Sequence, residues 1–441
     1  MENLKFKNLR KKYPKFIYEK FSYKISDKKL EIFFDFLAEP DIHPVKSRHG
    51  RGHKVAFNRV KFRPKIVIEN IDKKRLVKMG ERALNNLVFQ LGLMEIPSYW
   101  KATCSPEIEI KAGRLDNEQI KWWKDLTING MGQFFYENKI NFTRPNFLKI
   151  INSPRNVLGN LAEDIPLLKL KKRYLVPIGG GKDSIVTLEK LKQQKKEING
   201  FLVNPASAAK KVVRKAGIKN PIIIKRTIDP ALLKLNQRGF LNGHTPFTAV
   251  LSFLSVFGAV LFDYKNIVFS LESSANEGNV KYLGKMINHQ WSKSSEFEKK
   301  FKNYCKKYLV KNINYFSLLR SYTELEISKM FLKYPKYFSV FSSCNVGSKT
   351  GKRWCGQCPK CLFVYATLYP FLEKKMLLKI FGKDIFENKK LLPAMEGLIG
   401  EGVPKPFECV GTKKESKLAF SLSLKKAQKT GKAPYLLTKL K

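Results

Sequence analysis

Acidic residues are scarce in this chain: 37 Asp and Glu stand against 84 Lys and Arg, leaving a net charge of +47 over 441 residues. A surplus of that size directs attention to anionic partners, whether nucleic acid, a phosphorylated small molecule or an anionic membrane surface. Two further absences make nucleic acid an unexpected partner. The excess is mostly Lys spread along the whole sequence, and neither an arginine-rich tract nor an RNP-like aromatic motif accompanies it. Long apolar runs are missing as well. The stretch between Arg238 and Asp263 is free of charge, but its apolar part, Phe247 to Phe262, carries Thr248, Ser252, Ser255 and Gly258 and falls short of the ~20 residues a membrane span needs. A buried helix is expected there, and no membrane span. Histidine is rare, with five residues. His43, His49 and His53 share HPVKSRHGRGHK without carboxylates at ligand spacing, which favours an exposed basic loop over a metal tract. No internal repeat is visible. The opening MENLKFKNLRKKYPK has no signal-peptide pattern, and only Cys104, Cys305 and Cys409 lie outside one cluster of four cysteines, so a reducing cytoplasm is the expected home.

What the sequence does have is concentrated between Tyr174 and Lys190, YLVPIGGGKDSIVTLEK: a short apolar strand, a glycine turn and an amphipathic helix. Gly179, Gly180 and Gly181 let the backbone take positive φ and bring bare amides close to a ligand. The helix opening at Asp183 and Ser184 adds unpaired amides and the positive end of its dipole, while Lys182 supplies a mobile charge and Ser184 a hydroxyl. A phosphate chain suits all of these at once. Walker A needs four residues between Gly and Gly-Lys-Ser/Thr, so the ordinary P-loop reading fails. The stretch instead resembles the Ser-Gly-Gly-x-Asp-Ser signature of PP-loop ATP pyrophosphatases. Gly180, Gly181, Asp183 and Ser184 match it, and Gly179 stands where that family usually has Ser.

From Tyr174 the chain alternates strand, helix, strand (GFLVN), helix (SAAKKVVRKAG), strand (PIIIKRTI), long helix (Thr248 to Phe262) and strand (NIVFSLE). That alternation predicts an α/β fold with a parallel, doubly wound sheet of PP-loop (HUP-like) type. Ligands then sit at the carboxyl ends of the strands, at GGGKDS, after Val203 and Asn204, and in SLESSANEGN. Residues 1 to about 70 read as strands, Lys74 to Leu93 and Asp116 to Lys139 as helical stretches. Helical spacing places Trp122, Trp123, Phe134, Phe135 and Tyr136 in a core and not on a base-stacking platform. The expected division is a β-rich α+β domain over 1–165, a catalytic α/β domain over 166–411, and a basic tail over 412–441, solvated or surface-docked.

Cys344, Cys355, Cys358 and Cys361 stand in SSCNVGSKTGKRWCGQCPKCLF, with Gly356 and Pro359 suiting tight knuckles between ligands. Four thiolates at such spacing can close a tetrahedral, structural Zn2+ site. An iron–sulfur cluster competes on ligand count, though the plant and bacterial spacings are not met. His244, ahead of the long helix in NGHTPFT, and His289, in KMINHQWSKSSEFE, read equally well as site residues or as hydrogen-bonded structural histidines.

Beyond the glycine turn, the strings GHTPFTAVLS, SLESSANEGN, NHQWSKSSEFE, YFSLLR, SSCN, WCGQCPKC and KPFECVG occur in this order. Together they resemble the ATP-dependent epimerases of UDP-N-acetylmuramoyl-L-alanyl-L-glutamate, the MurL type. The resemblance implies inversion of the terminal L-Glu to D-Glu in a cytoplasmic peptidoglycan precursor through an acyl-adenylate, with release of AMP and pyrophosphate. It implies ATP, Mg2+ and Zn2+ as cofactors and the UDP-linked dipeptide as substrate. Glu277, His289 and Cys409 lie in polar strings shared with that family and are the candidates for proton transfer, a task for positioned side chains. WCGQCPKC also resembles the knuckle of 7-cyano-7-deazaguanine synthases, so another PP-loop adenylating enzyme, including a tRNA-modifying one, is the alternative. A non-enzymatic nucleic-acid-binding protein would leave GGGKDS without a use.

Overall fold

The structure, a computed structural model, describes residues 3–41, 58–154, 165–429 and 431–440. The loop with His43, His49 and His53 lies outside the described residues. Alternating apolar residues make a hairpin of β1 (Lys15–Ser26) and β2 (Lys29–Glu39), with Leu30, Ile32, Phe34 and Phe36 fully buried on one face. β3 (Val60–Phe62) and β4 (Lys65–Glu69) pair antiparallel with β2, while β5 (Glu107–Ile110) lies parallel to β1 and β6 (Lys149–Asn152) parallel to β5. A helix, Leu4–Lys12, precedes β1 where the sequence reading has only strands. It buries Phe6 alone, so the apolar spacing that betrays a helix is nearly absent, and its start is set by the Asn3 side chain accepting from the Lys5 amide.

The second half contributes β7 (Tyr174–Pro177), β8 (Ile198–Val203), β9 (Ile222–Thr227) and β10 (Asn266–Phe269). A separate hairpin, β11 (Val280–Tyr282) and β12 (Lys285–Ile287), precedes β13 (Asn314–Ser317). The parallel order β13-β10-β7-β8-β9, with helices between strands, is the α/β alternation expected from the sequence. Chain connections leave β7 in opposite directions, so a crevice opens at the carboxyl ends of β7 and β10.

One sheet of 11 strands joins both halves, because β9 pairs antiparallel with β4 from Lys65↔Thr227 to Ile68↔Ile224. A buried ion pair fixes the join. Arg226 of β9 donates from Nε and Nη2 to both carboxylate oxygens of Glu95, at 2.5 and 2.6 Å, and from Nη2 to Ser98. Glu95 belongs to the helix Glu81–Trp100, which also packs on β1.

The aromatic residues of 117–137 form core, as their spacing indicates. Trp122 stacks on Tyr304 at 4.0 Å, Trp123 on Phe253 at 5.2 Å, and Trp123 Nε1 donates to the Tyr304 hydroxyl. The basic tail is docked and not solvated. Its helix, Lys413–Lys429, buries Ser416, Ala419, Phe420, Ser423 and Ala427 against the helices Pro359–Leu368 and Leu392–Ile399.

Candidate active site

The glycine turn ends β7 and opens the helix Lys182–Gln193. Of its three glycines Gly180 uses the freedom they provide, with φ +94°. A Cβ on Gly180 would lie 2.7 Å from the Ala209 amide nitrogen, so the turn presses against the start of the helix Ser207–Lys215 and leaves no room for a side chain. Gly181 is extended, with φ −83°, and occupies the N-cap. Ser184 donates its hydroxyl to the Gly181 carbonyl at 3.0 Å. Gly180 accepts in turn from the Ser342 amide at 2.9 Å, and a cavity of about 100 Å3 opens beside it, with Ala208, Lys211, Ser342 and Arg353 in its walls.

Lys182 does not reach outward. Its buried ammonium donates to Asp183 Oδ1 at 2.5 Å and to Glu324 Oε2. Asp183, Glu272 and Glu324 bring carboxylate oxygens within 4.8 Å of one another, a hard-oxygen set that suits a divalent cation. Burial pushes Glu324 up to about 7, with Asp183 and Glu272 acting in the same sense and Lys182 against. Burial would also raise Asp183, but Lys182, Lys360 and Lys293 hold it below the usual carboxylate range. The glycine turn thus lies in the field of lysines from two other elements.

Those lysines surround Cys409. Its sulfur accepts from Lys293 Nζ at 2.8 Å, and its carbonyl accepts from Lys360 Nζ. His289 Nε2 stands 3.9 Å from the same sulfur. His289 Nδ1 lies 2.5 Å from Gln133 Oε1, and because an amide oxygen only accepts, Nδ1 carries the proton and Nε2 turns its lone pair to the sulfur. The His244 ring lies 4.5 Å from that of His289. Burial, with the neighbouring Lys293, pushes His289 down to about 4; burial, with His289 and Lys101, pushes His244 down to about 3. Both imidazoles are neutral at neutral pH. Glu277 is placed differently: its Oε1 accepts from the buried Lys405 ammonium at 2.9 Å and from the Lys413 amide at 3.0 Å, joining β10's following loop to the tail helix.

The four clustered cysteines meet. Cys344 and Cys358 sulfurs are 3.8 Å apart, Cys355 and Cys361 sulfurs 3.7 Å, and all four lie within 4.8 Å of one another. A tetrahedron with metal–sulfur bonds of ~2.3 Å has edges of about 3.8 Å, so the set is sized for one ion. Gly356, at φ +63°, and Pro359, opening the Pro359–Leu368 helix, make the knuckles the spacing calls for. This cluster is part of the site's frame: Ser342, bonded to Gly180, also accepts from the Cys344 amide, and Lys360 lies between Cys358 and Cys361.

Several site residues were not singled out from sequence. Glu272 and Lys293 lie inside SLESSANEGN and NHQWSKSSEFE, where loop position was the available signal. Arg320, in YFSLLR, donates to the Glu272 and Lys293 carbonyls, both at 2.9 Å, and to Glu298 at 2.8 Å. Glu324 gives no local sign beyond following the helix-capping Thr323.

The match to known families covers both halves. Residues 9–318 match the family model described as the MurL N-terminal domain, and residues 340–440 that of the MurL C-terminal domain. The chain belongs to the MurL family. It is 34% identical over 337 residues to the UDP-N-acetyl-alpha-D-muramoyl-L-alanyl-L-glutamate epimerase of Xanthomonas oryzae pv. oryzae, a match spanning 75% of this chain and 73% of the relative. Proteins of the same name from Micromonospora sp. and Salinispora tropica are 36% and 35% identical, each over 74% of this chain and over 72% and 70% of the relative. Among the described residues no helix is long and apolar enough to cross a membrane.

Proposed function

We propose that this chain inverts the terminal L-Glu of UDP-N-acetylmuramoyl-L-alanyl-L-glutamate to D-Glu in the cytoplasmic synthesis of a peptidoglycan precursor, using ATP and releasing AMP and pyrophosphate. The observation that carries the reading is the placement of a thiol and a neutral imidazole, Cys409 and His289, in the lysine-rich crevice that begins at the glycine turn. The names borne by the MurL relatives supply the substrate.

A free carboxylate resists loss of its α-proton, since a second negative charge would build beside the first. Joining it to AMP removes that obstacle. The amides of 179–181 and the N-terminus of the Lys182–Gln193 helix would cradle the departing pyrophosphate in the manner of a PP-loop, while Lys182 and Ser184 brace the turn through Asp183, Glu324 and the Gly181 carbonyl. Asp183, Glu272 and Glu324 are the oxygen ligands available to Mg2+, which would neutralise phosphate charge there. Cys344, Cys355, Cys358 and Cys361 would hold a structural Zn2+, for which the sulfur separations are the right size.

Proton transfer falls to the Cys409 cluster. Two groups that straddle a carbon, each at a reacting distance of ~3–3.5 Å, stand about 6–7 Å apart. Cys409 Sγ and His289 Nε2, at 3.9 Å, are too close for that. They act from one face, the sulfur taking the α-proton and the imidazole lone pair relaying it, and the inversion is completed by a proton from an exchangeable donor, solvent or a solvent-exchanging side chain, on the other face. Glu277, tied to Lys405 and to the Lys413 amide, is given no proton to move in this scheme.

Incubation with ATP and the UDP-linked dipeptide in heavy water tests this. D-Glu carrying deuterium at Cα should appear together with AMP and pyrophosphate, and exchange should vanish with an α,β-methylene ATP analogue. ADP as the nucleotide product, or exchange at full rate without ATP, would overturn the adenylation step. Amide or nitrile formation with retained chirality would mark another PP-loop enzyme.

A further inference from the structure

Lys293 takes no part in the scheme above. It ends a single turn of 3-10 helix, Trp291–Lys293, and its backbone is fixed on both sides: its amide donates to the Gln290 carbonyl, and its own carbonyl accepts from Arg320, which also grips the Glu272 carbonyl. The side chain therefore leaves a rigid point and runs to one partner, the sulfur of Cys409, at 2.8 Å.

The comparison with Lys182 gives that contact its meaning. Lys182 is a buried ammonium compensated by bonds to two carboxylates, Asp183 and Glu324. The Lys293 ammonium has no carboxylate bonded to it among the described residues; what it touches is sulfur. Lys293 and Cys409 are half-buried, and a cation drawn partly out of water is unfavourable unless a negative group meets it, which a neutral thiol does poorly. Burial pulls the Lys293 ammonium towards neutrality, while Cys409 and Glu272 outweigh that pull and hold it above its ordinary value. Nor can a neighbour take its place. His289 is neutral, with its lone pair towards the sulfur, and the Lys360 ammonium is bonded to the Cys409 carbonyl.

We infer that Lys293 is the positioning residue that keeps the sulfur of Cys409 anionic and therefore ready to accept a proton. The inference rests on Cys409 being the proton acceptor. In the step itself the sulfur anion takes the α-proton and becomes S–H, and the electron pair of the broken C–H bond moves into the activated carbonyl. The Lys293 ammonium keeps its protons throughout, and its ion pair with the sulfur anion gives way to a weaker bond from a cation to a neutral thiol.

The test compares Lys293→Met, Lys293→Arg and the unaltered enzyme in two measurements. The first is the rate at which iodoacetamide alkylates Cys409, followed by mass spectrometry of its peptide, since the thiolate is the reacting form. The second is kcat and KM for the UDP-linked dipeptide. Lys293→Met should slow alkylation of Cys409 and lower kcat, each by roughly tenfold or more, with KM changed less than about threefold, and Lys293→Arg should recover most of both. Equal metal content and melting temperature across the set would show that folding is not the cause. If Lys293→Met fails to fold, Lys293→Arg and Lys293→Gln are compared instead, with alkylation expected to be faster in the arginine variant. Alkylation within about twofold of the original in the folded methionine variant overturns the inference. Cys409→Ala separates this from the reading beneath it: retained epimerisation in that variant would sink Cys409 as acceptor, whatever Lys293 does to its alkylation.

Discussion

His289 and His244 show how single side chains couple this site to pH. In an unfolded chain each would titrate near 6.5, whereas in the fold burial holds them near 4 and 3. The unfolded chain then binds more protons than the folded one between those values, so stability present above about pH 6.5 is lost as pH falls towards 4. Melting temperature should decline over that window, and the decline should be shallower in His289→Gln, which cannot take up the proton. An unchanged profile in that variant would show that His289 does not carry the effect. Activity should keep a neutral His289 throughout the range from pH 6 upward, because its depressed value lies well below it.

At the level of elements, the four-cysteine knuckle and the glycine turn behave as neighbours, joined through Ser342. Losing one sulfur should leave an ion poorly held and loosen the C-terminal segment more than it alters any chemical step. Cys358→Ser, or prolonged chelation, should therefore lower the melting temperature by several degrees and release zinc measurable by elemental analysis. Less than about half an equivalent of metal in the unaltered, zinc-supplemented protein would refute the structural ion. The knuckle was legible because cysteine spacing is local, and so was the strand-turn-helix around 179–184, whose glycines and apolar period lie side by side in the chain. Glu324, Lys360 and Arg320 were not, since their roles depend on contacts with residues 22 to 142 positions away. Within the turn, composition shows that positive φ is allowed but not where it falls: packing against the Ser207–Lys215 helix puts it at Gly180.

Across the whole molecule, a continuous sheet makes the β4–β9 seam a point of shared dependence. Glu95 is buried to 1% exposure and Arg226 is its bidentate partner. Arg226→Met would leave a carboxylate buried without its cation, a change that typically costs about 3–5 kcal/mol. Denaturant unfolding of the variant should show a loss of that order, and Glu95→Gln combined with it should restore part of the loss; a change under about 1 kcal/mol would mean that water reaches the seam. That seam also explains why the parallel sheet was readable from 174 onward while its extension was not: hydrophobic alternation marks strands, but says nothing of which strand lies beside which.

The tail helix has a further consequence in time. Glu415 caps its own helix through Thr412, at 2.7 and 2.8 Å, and accepts from the amide of Glu324 at 2.8 Å, beneath the glycine turn. A chain emerging from the ribosome with residue 408 as its last carries the turn, the four cysteines and both site histidines, yet has neither Cys409 nor the support of Glu415. A prematurely ended product of that kind keeps the glycine turn and loses the sulfur that faces His289 and Lys293.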